Sequence, residues 1–464
     1  MITLDTAYLE LLEAGRLLRE RKISVRELVA AQVERIERLD PRLHAFARTS
    51  PEKALARAED LDAELATGRD RGPLHGIPLA LKDLFWEREE RTAAGTVVHK
   101  NFVAAEDATV IARLKEAGAV LVGSVQLTEG AYAMHHPSVV PPVNPWNSTY
   151  WSGASSSGSG VAVAGGLCFG SVGTETGGSI HLPSAANGVT GLKPTWGRVS
   201  RHGVFELAAT LDHVGPLARS AADAAVLLTA IAGYDAADPT SSRSPVPNYS
   251  ADLRVDLRGV RIGLDERFAF DGVDEATCAS LREAIHVLVE LGAEIVAINF
   301  PPVEGMVADW FPMCAVQTAL AHAETYPSRK AEYGDALASL IELGRGMSAT
   351  DFQAVILRRL AFAGGVDTAL SDVDMLVLPV MTFSEATLDR MAILDDALIM
   401  GVHRFTCAFT MSGHPAITLP CGFTAAGTPL TFQFVGKKFA EAALLGVAHA
   451  YQHATAWHRR HPDL

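Results

Sequence analysis

The chain has 464 residues, enough by length alone for two or three domains. Its 40 Lys and Arg against 54 Asp and Glu leave a net charge of −14, which argues against nucleic acid or an anionic membrane surface as a partner, because either needs a basic stripe to displace counterions. With 48% hydrophobic and 20% charged residues it has the make-up of an ordinary globular protein with ample material for a core.

Taken in order, the chain alternates helical and strand patterns. Residues 5–47 read as helical. Ser24-Val25-Arg26-Glu27 is a capping box, after which Val25, Leu28, Val29, Val33, Ile36 and Leu39 form one apolar face that ends before Pro41. A second charged, Ala-rich helix covers 51–67. After Gly72-Pro73 the run from Ile77 to Leu81 is short, apolar and strand-like. Asp107 is expected to cap a helix that runs to Ala117 and stops at Gly118, before a buried strand over 119–123. The same alternation returns as a strand near 259–264, a helix near 274–291, a strand over 293–298 and a strand over 374–379. Helices alternating with short buried strands predict an α/β layered fold. No repeat of 20–50 residues and no Pro/Ser-rich linker divides the chain, so one large domain over 1–464 is expected, with the helical segment of about 1–67 packed on it. Met1 to Asp5 lack the basic and apolar regions of a secretory signal. Cys168, Cys278, Cys314, Cys407 and Cys421 are odd in number, scattered and free of any CxxC, so they read as buried thiols in a reducing compartment, by default the cytoplasm.

One window breaks the charge pattern. Between Gly130 and Leu192 Glu175 is the single Asp, Glu, Lys or Arg, whereas the chain-wide 20% would put about 13 there. The window also holds 12 of the 39 glycines and 10 serines. It is too interrupted by glycine to span a membrane, and too rich in Val, Ala, Leu and Phe for a flexible linker, so it is expected to be buried. Two serine-rich turns lie in it, at 153–160 and 173–180. Such turns let backbone N–H groups converge on an anion, either a phosphate or the oxyanion of an acyl-transfer intermediate. Neither is followed by the Gly-Lys-Ser/Thr of a nucleotide loop, and neither contains a Gly-x-Ser-x-Gly elbow. A serine nucleophile needs a base, and no spacing ties any of the 16 histidines, His213 included, to either turn. Lys82, at the end of the apolar run 77–81, is the other candidate, because a desolvated amine loses its proton readily; pairing with a carboxylate at a strand end is the plainer alternative.

The residues also resemble a known family along nearly the whole chain. Gly72-Pro73-Leu74-His75-Gly76-Ile77-Pro78 leading to Lys82-Asp83, then Asn144-Pro145-Trp146, the turn at 153–159, the stretch 173–197 ending in Gly191-Leu192-Lys193-Pro194-Thr195, then Leu211 to Pro216 and Ser412 to Ala416 are similar to the amidase signature family. The resemblance implies a three-layer α/β/α fold around a mixed, mostly parallel sheet, and a catalytic set of Ser179 as nucleophile, Ser155 as bridging serine after a cis peptide bond, and Lys82 as terminal base. It further implies an oxyanion hole from the N–H groups of Thr176, Gly177, Gly178 and Ser179, with no metal and no cofactor. His213 then falls back to a structural role. Four positions depart from the commonest pattern: Ala154 and Ser157 stand where glycine is usual, Glu175 where Asp is usual, and His181 where Arg is usual, which puts any ion pair at that point in doubt.

The substrate is the least legible part. Trp310 and Phe311, in an aromatic cluster at 309–313, and the backbone around Glu129 are the candidate pocket. They suggest an apolar or aryl amide, with carbamates chemically close because the same attack and nitrogen protonation apply. The expected partner is thus a small molecule, with a second copy of the chain left open. A glutamine-hydrolysing subunit of a tRNA-dependent amidotransferase and a non-catalytic binding module are the alternatives.

Overall fold

Each short apolar run between helices becomes a strand, because a buried backbone must satisfy its N–H and C=O groups and neighbouring strands do so. The computed structural model describes residues 6–251 and 253–464. Among them the strands are β1 (Phe46–Thr49), β2 (Pro78–Lys82), β3 (Val120–Val125), β4 (Gly170–Glu175), β5 (Thr190–Lys193), β6 (His213–Ala218), β7 (Arg261–Leu264), β8 (Glu294–Ala297), β9 (Met375–Pro379), β10 (Ala416–Phe423) and β11 (Pro429–Gly436). All eleven join one sheet in the order β1-β3-β2-β4-β6-β5-β10-β11-β9-β7-β8. Successive side chains of a strand point to opposite faces, and every residue of β2, β4, β6 and β9 is buried. Both faces of the sheet are therefore covered, and helices form the outer two layers of the expected α/β/α arrangement.

The sheet is mixed, but the parallel pairing expected to dominate is confined to its flanks. The pairs β2–β3, β2–β4, β7–β8 and β7–β9 are parallel, and the other six are antiparallel. One of these antiparallel pairs follows from local sequence: β10 and β11 are joined by a short turn, which can only form a hairpin.

The N-terminal region is less uniformly helical than its pattern suggests. It forms Leu11–Arg19 and Val25–Leu43, the second with the expected capping box and continuing through Pro41. His44 then turns left-handed, and residues 46–49 leave the helix to pair with β3 as an edge strand. Asp107 is not a helix cap. The helix is Thr109–Glu116, and the Asp107 carboxylate accepts instead from the Arg88 N–H and Lys115. The charge-free window is buried continuously from Ser152 to Gly178, whereas much of 134–149 is exposed or partly so. Its glycines serve close approach in the helix Ser157–Ala164: a Cβ on Gly158 would stand 2.4 Å from the Ala45 carbonyl oxygen, and one on Gly160 would stand 2.5 Å from the Asn187 amide. That helix therefore lies directly against the neighbouring backbone, and Ser155 just before it is carried to the end of β2.

Candidate active site

Parallel strands end at the same edge of a sheet, and this places the site. Leu81 of β2 pairs with Val172 of β4, so Lys82 and Thr174 emerge side by side. Lys82 Nζ lies 2.7 Å from Ser155 Oγ and 2.9 Å from Thr174 Oγ1. The peptide bond between Ala154 and Ser155 is cis. The amine is buried, and desolvation pulls its pKa down from 10.5 to about 7, against the opposing pull of the Asp212 and Glu175 carboxylates. A 2.7 Å separation lets the amine either donate to Ser155 or accept its proton.

Antiparallel pairing of β4 with β6 aligns Glu175 with His213, which puts Asp212 opposite Thr176. Asp212 accepts from the Thr176 hydroxyl at 2.6 Å and from the Leu207 and Ala208 N–H groups, while burial raises its pKa to about 6. His213, inside β6, hydrogen-bonds the Leu211 carbonyl through Nδ1.

Glu175 is fully buried below the turn that carries Ser179. Its Oε2 accepts from the Ile180 and His181 N–H groups and lies 2.7 Å from His181 Nδ1. The substitution of His for the usual Arg therefore leaves a polar pair in place. Burial pushes the Glu175 carboxyl up, but His181, Lys193 and the Ile180 N–H outweigh it and hold the group below the usual carboxylate range. Glu175→Ala would strand two backbone N–H groups and the His181 ring in a dry site. We expect it to lose about 3 kcal/mol or more of unfolding free energy in urea at pH 7.

A cavity of about 180 Å³ opens onto Ser155 and Ser179, with Thr176, Gly177 and Gly178 along its floor. Ser179 is partly exposed to it. The Ser179 carbonyl accepts from the Ser156 N–H at 3.3 Å, which ties the two serine turns together. Trp310 and Phe311 both line the cavity. Glu129 does not: its carboxylate is buried facing Gly334, whose N–H donates to it at 3.0 Å, and its neighbours Ala131 and Tyr132 reach the cavity instead. Much of the remaining wall comes from Leu182, Met391, Leu394, Leu398, Ile399 and Val402, and His403 also lines it. Among the described residues the lining holds no Asp, Glu, Lys or Arg. Larger depressions of about 870 and 390 Å³ lie elsewhere and touch none of Lys82, Ser155 and Ser179.

Sequence reading missed Thr174, Asp212 and the wall from 391–403. Asp212 stood inside a recognisable segment, whereas the wall residues are aliphatic and carry no chemical signal. Among the described residues no cluster of His, Cys, Asp and Glu could hold a metal, and no helix is long and apolar enough to cross a membrane.

Comparison with known proteins shows the family. The Amidase family model matches residues 27–445. A putative amidase, AmiD, of Mycobacterium tuberculosis is 48% identical over 460 residues, covering 98% of this chain and 96% of that protein. A glutamyl-tRNA(Gln) amidotransferase subunit from Geobacter metallireducens is 36% identical over 473 residues, covering 95% and 96%. The structure of native peptide amidase from Stenotrophomonas maltophilia superposes with a TM-score of 0.86 at 30% identity, covering 100% of this chain and 99% of that one. With a family match across nearly its whole length and the signature turns folded around one cavity, this chain belongs to the amidase family, the amidase-signature hydrolases of amide bonds.

Proposed function

We propose that the protein cleaves small amides with an apolar or aryl acyl group, and carbamates of similar shape, through an acyl-enzyme on Ser179. The observation that carries this reading is the buried, proton-poor Lys82 amine held 2.7 Å from Ser155 at the edge of an apolar cavity that exposes Ser179. Neutral Lys82 takes a proton from Ser155 as Ser155 takes one from Ser179, and the Ser179 oxygen bonds to the substrate carbonyl carbon. The N–H groups of Thr176, Gly177, Gly178 and Ser179 receive the oxyanion. The proton then returns from Lys82 through Ser155 to the leaving nitrogen, since an amide anion cannot leave unprotonated. Water, deprotonated by the same relay, attacks the acyl-enzyme and releases the acid.

Size supports one ring rather than a long chain. An engineered cavity of roughly 150 Å³ accepts benzene, so the cavity here accommodates about one aromatic ring beside the reacting carbonyl. The relationship to an amidotransferase component makes glutamine the rival substrate. Its charged α-amino and α-carboxylate groups would be desolvated against an uncharged lining, which disfavours it. Five free buried cysteines support a reducing compartment such as the cytoplasm.

The test is a panel of phenylacetanilide, phenylacetamide, ethyl N-phenylcarbamate and glutamine, assayed with the purified chain alone. We expect kcat/KM for at least one aryl substrate to exceed that for glutamine by about 100-fold or more, the penalty of burying unpaired charge. Cleavage of glutamine alone would overturn the apolar-substrate reading.

A further inference from the structure

A peptide group is planar and trans, so its C=O and N–H point in opposite directions. Whatever holds the carbonyl of one residue therefore aims the N–H of the next. Along the turn 176–179 each carbonyl is held. Thr176 O accepts from the Trp310 indole Nε1 at 2.7 Å. Gly177 O accepts from His403 Nδ1 at 3.1 Å and Thr406 Oγ1 at 2.7 Å. Gly178 O accepts from the Leu182 N–H, which is backbone within the same turn and helix.

The first two holders are distant in sequence, in the helices Glu304–Ala321 and Asp396–His403, outside the serine-rich window. Their rings form a stack, with centroids 5.2 Å apart and planes 27° apart. Trp310 also lies flat against the turn: a Cβ on Gly177 would stand 2.6 Å from its ring. A carbonyl acceptor requires the proton on His403 Nδ1, and burial lowers this ring's pKa, consistent with a neutral imidazole. The same two rings wall the cavity.

We propose that Trp310 and His403 are positioning residues for the oxyanion turn: Trp310 aims the Gly177 N–H and His403 the Gly178 N–H, so the acyl-pocket wall and the oxyanion donors form one rigid unit. This rests on the reading of 176–179 as the oxyanion turn. Thr406 Oγ1 and the Cys407 thiol, whose Sγ lies 3.5 Å away, share the Gly177 carbonyl, so the His403 contribution is the smaller of the two.

The experiment uses the full chain, phenylacetanilide as substrate, and two inhibitors with the same ring. Phenylacetaldehyde adds to Ser179 and places an oxyanion or hydroxyl in the turn; 2-phenylethanol occupies the pocket alone. Trp310→Phe keeps a ring and removes the N–H. His403→Leu removes the donor, and His403→Asn restores one near the Nδ1 position. We expect Trp310→Phe to lower kcat about 10- to 100-fold and His403→Leu about threefold to tenfold, with the ratio of phenylacetaldehyde to 2-phenylethanol affinity falling in step with kcat, so that any loss of pocket wall, which weakens both ligands, cancels. His403→Asn should recover most of the loss. If Trp310→Phe does not fold, the two His403 variants decide by the same ratio. Equal weakening of aldehyde and alcohol, or weakening of neither, overturns the proposal and leaves these side chains as pocket wall only. An active Ser179→Ala variant would instead sink the underlying reading of the site, so the two failures are distinct.

Discussion

Ser179→Ala is expected to lower hydrolysis of every amide the protein cleaves by at least about 10⁴-fold, because nucleophile and relay act as a unit and the oxyanion donors alone supply only a residual rate. The structural cost should be small. Ser179 is partly exposed in the cavity, and the contact it makes with Ser156 runs through its backbone carbonyl, which alanine keeps. The Glu175 carboxylate holds the following turn through the N–H groups of Ile180 and His181, which the substitution does not touch. Tm should therefore move by no more than about 1 kcal/mol of stability would cause. Steady-state assays on phenylacetanilide with a thermal unfolding curve on the same sample check both halves. Hydrolysis near the parent rate would falsify the assignment of the nucleophile.

Lys82→Met is the second large effect, and it has opposite signs on activity and stability. Removing the terminal base should cost about 10³-fold or more in kcat. The parent itself should show the same dependence through pH: the working form is the neutral amine, so with the pKa drawn down to about 7 by desolvation the rate rises about tenfold per unit below pH 7 and levels above it. The nearby Asp212 and Glu175 carboxylates oppose this, and neutralising Asp212 as Asn should move the midpoint downward. A rate independent of pH between 5.5 and 8.5 would remove Lys82 from the role of base.

For stability, the folded pKa lies below the unfolded value of 10.5, so between about pH 7 and 10.5 the unfolded chain binds the extra proton and stability rises with pH. Below pH 7 the full penalty stands, about 5 kcal/mol at roughly 1.4 kcal/mol per pH unit, offset by about 1 kcal/mol for each of the hydrogen bonds to Ser155 and Thr174. Lys82→Met should accordingly be the more stable protein at pH 6, by about 3 kcal/mol, with the advantage shrinking toward pH 10. Urea unfolding at the two pH values measures it.

Much of this site was legible as a set of segments. The run into Lys82, the two serine turns and the segment around Asp212 were all recognisable, because each needs particular residue types at particular backbone positions. The structure brings Lys82, Ser155 and the turn 176–179 to one strand edge. Glu129 shows the limit. It lies in a segment that does border the cavity, but the chain turns left-handed at Gly130 and Ala131, and the carboxylate faces Gly334. His181 shows another: its departure from the usual Arg left the Glu175 contact open, and only the position of the ring reveals a hydrogen bond.

By itself the sequence identified the segments that carry the chemistry and the strands β2, β3, β7, β8 and β9, because hydrophobic period, turn glycines and capping boxes act within a few residues of one another; β1, β4, β5, β6, β10 and β11 were not legible. It could not decide strand direction across most of the middle of the sheet, the edge strand at 46–49, where residues up to 47 were expected to be helical, or the composition of the pocket wall. The edge strand and the pocket wall depend on partners 70 to more than 200 residues away, such as Ser124 and Val125 for β1 or Trp310 and His403 for the carbonyls of 176 and 177. An aliphatic residue such as Leu398 looks the same whether it fills a core or lines a cavity. The tertiary structure alone decides which, because the distinction lies in what stands opposite the side chain and not in the side chain itself.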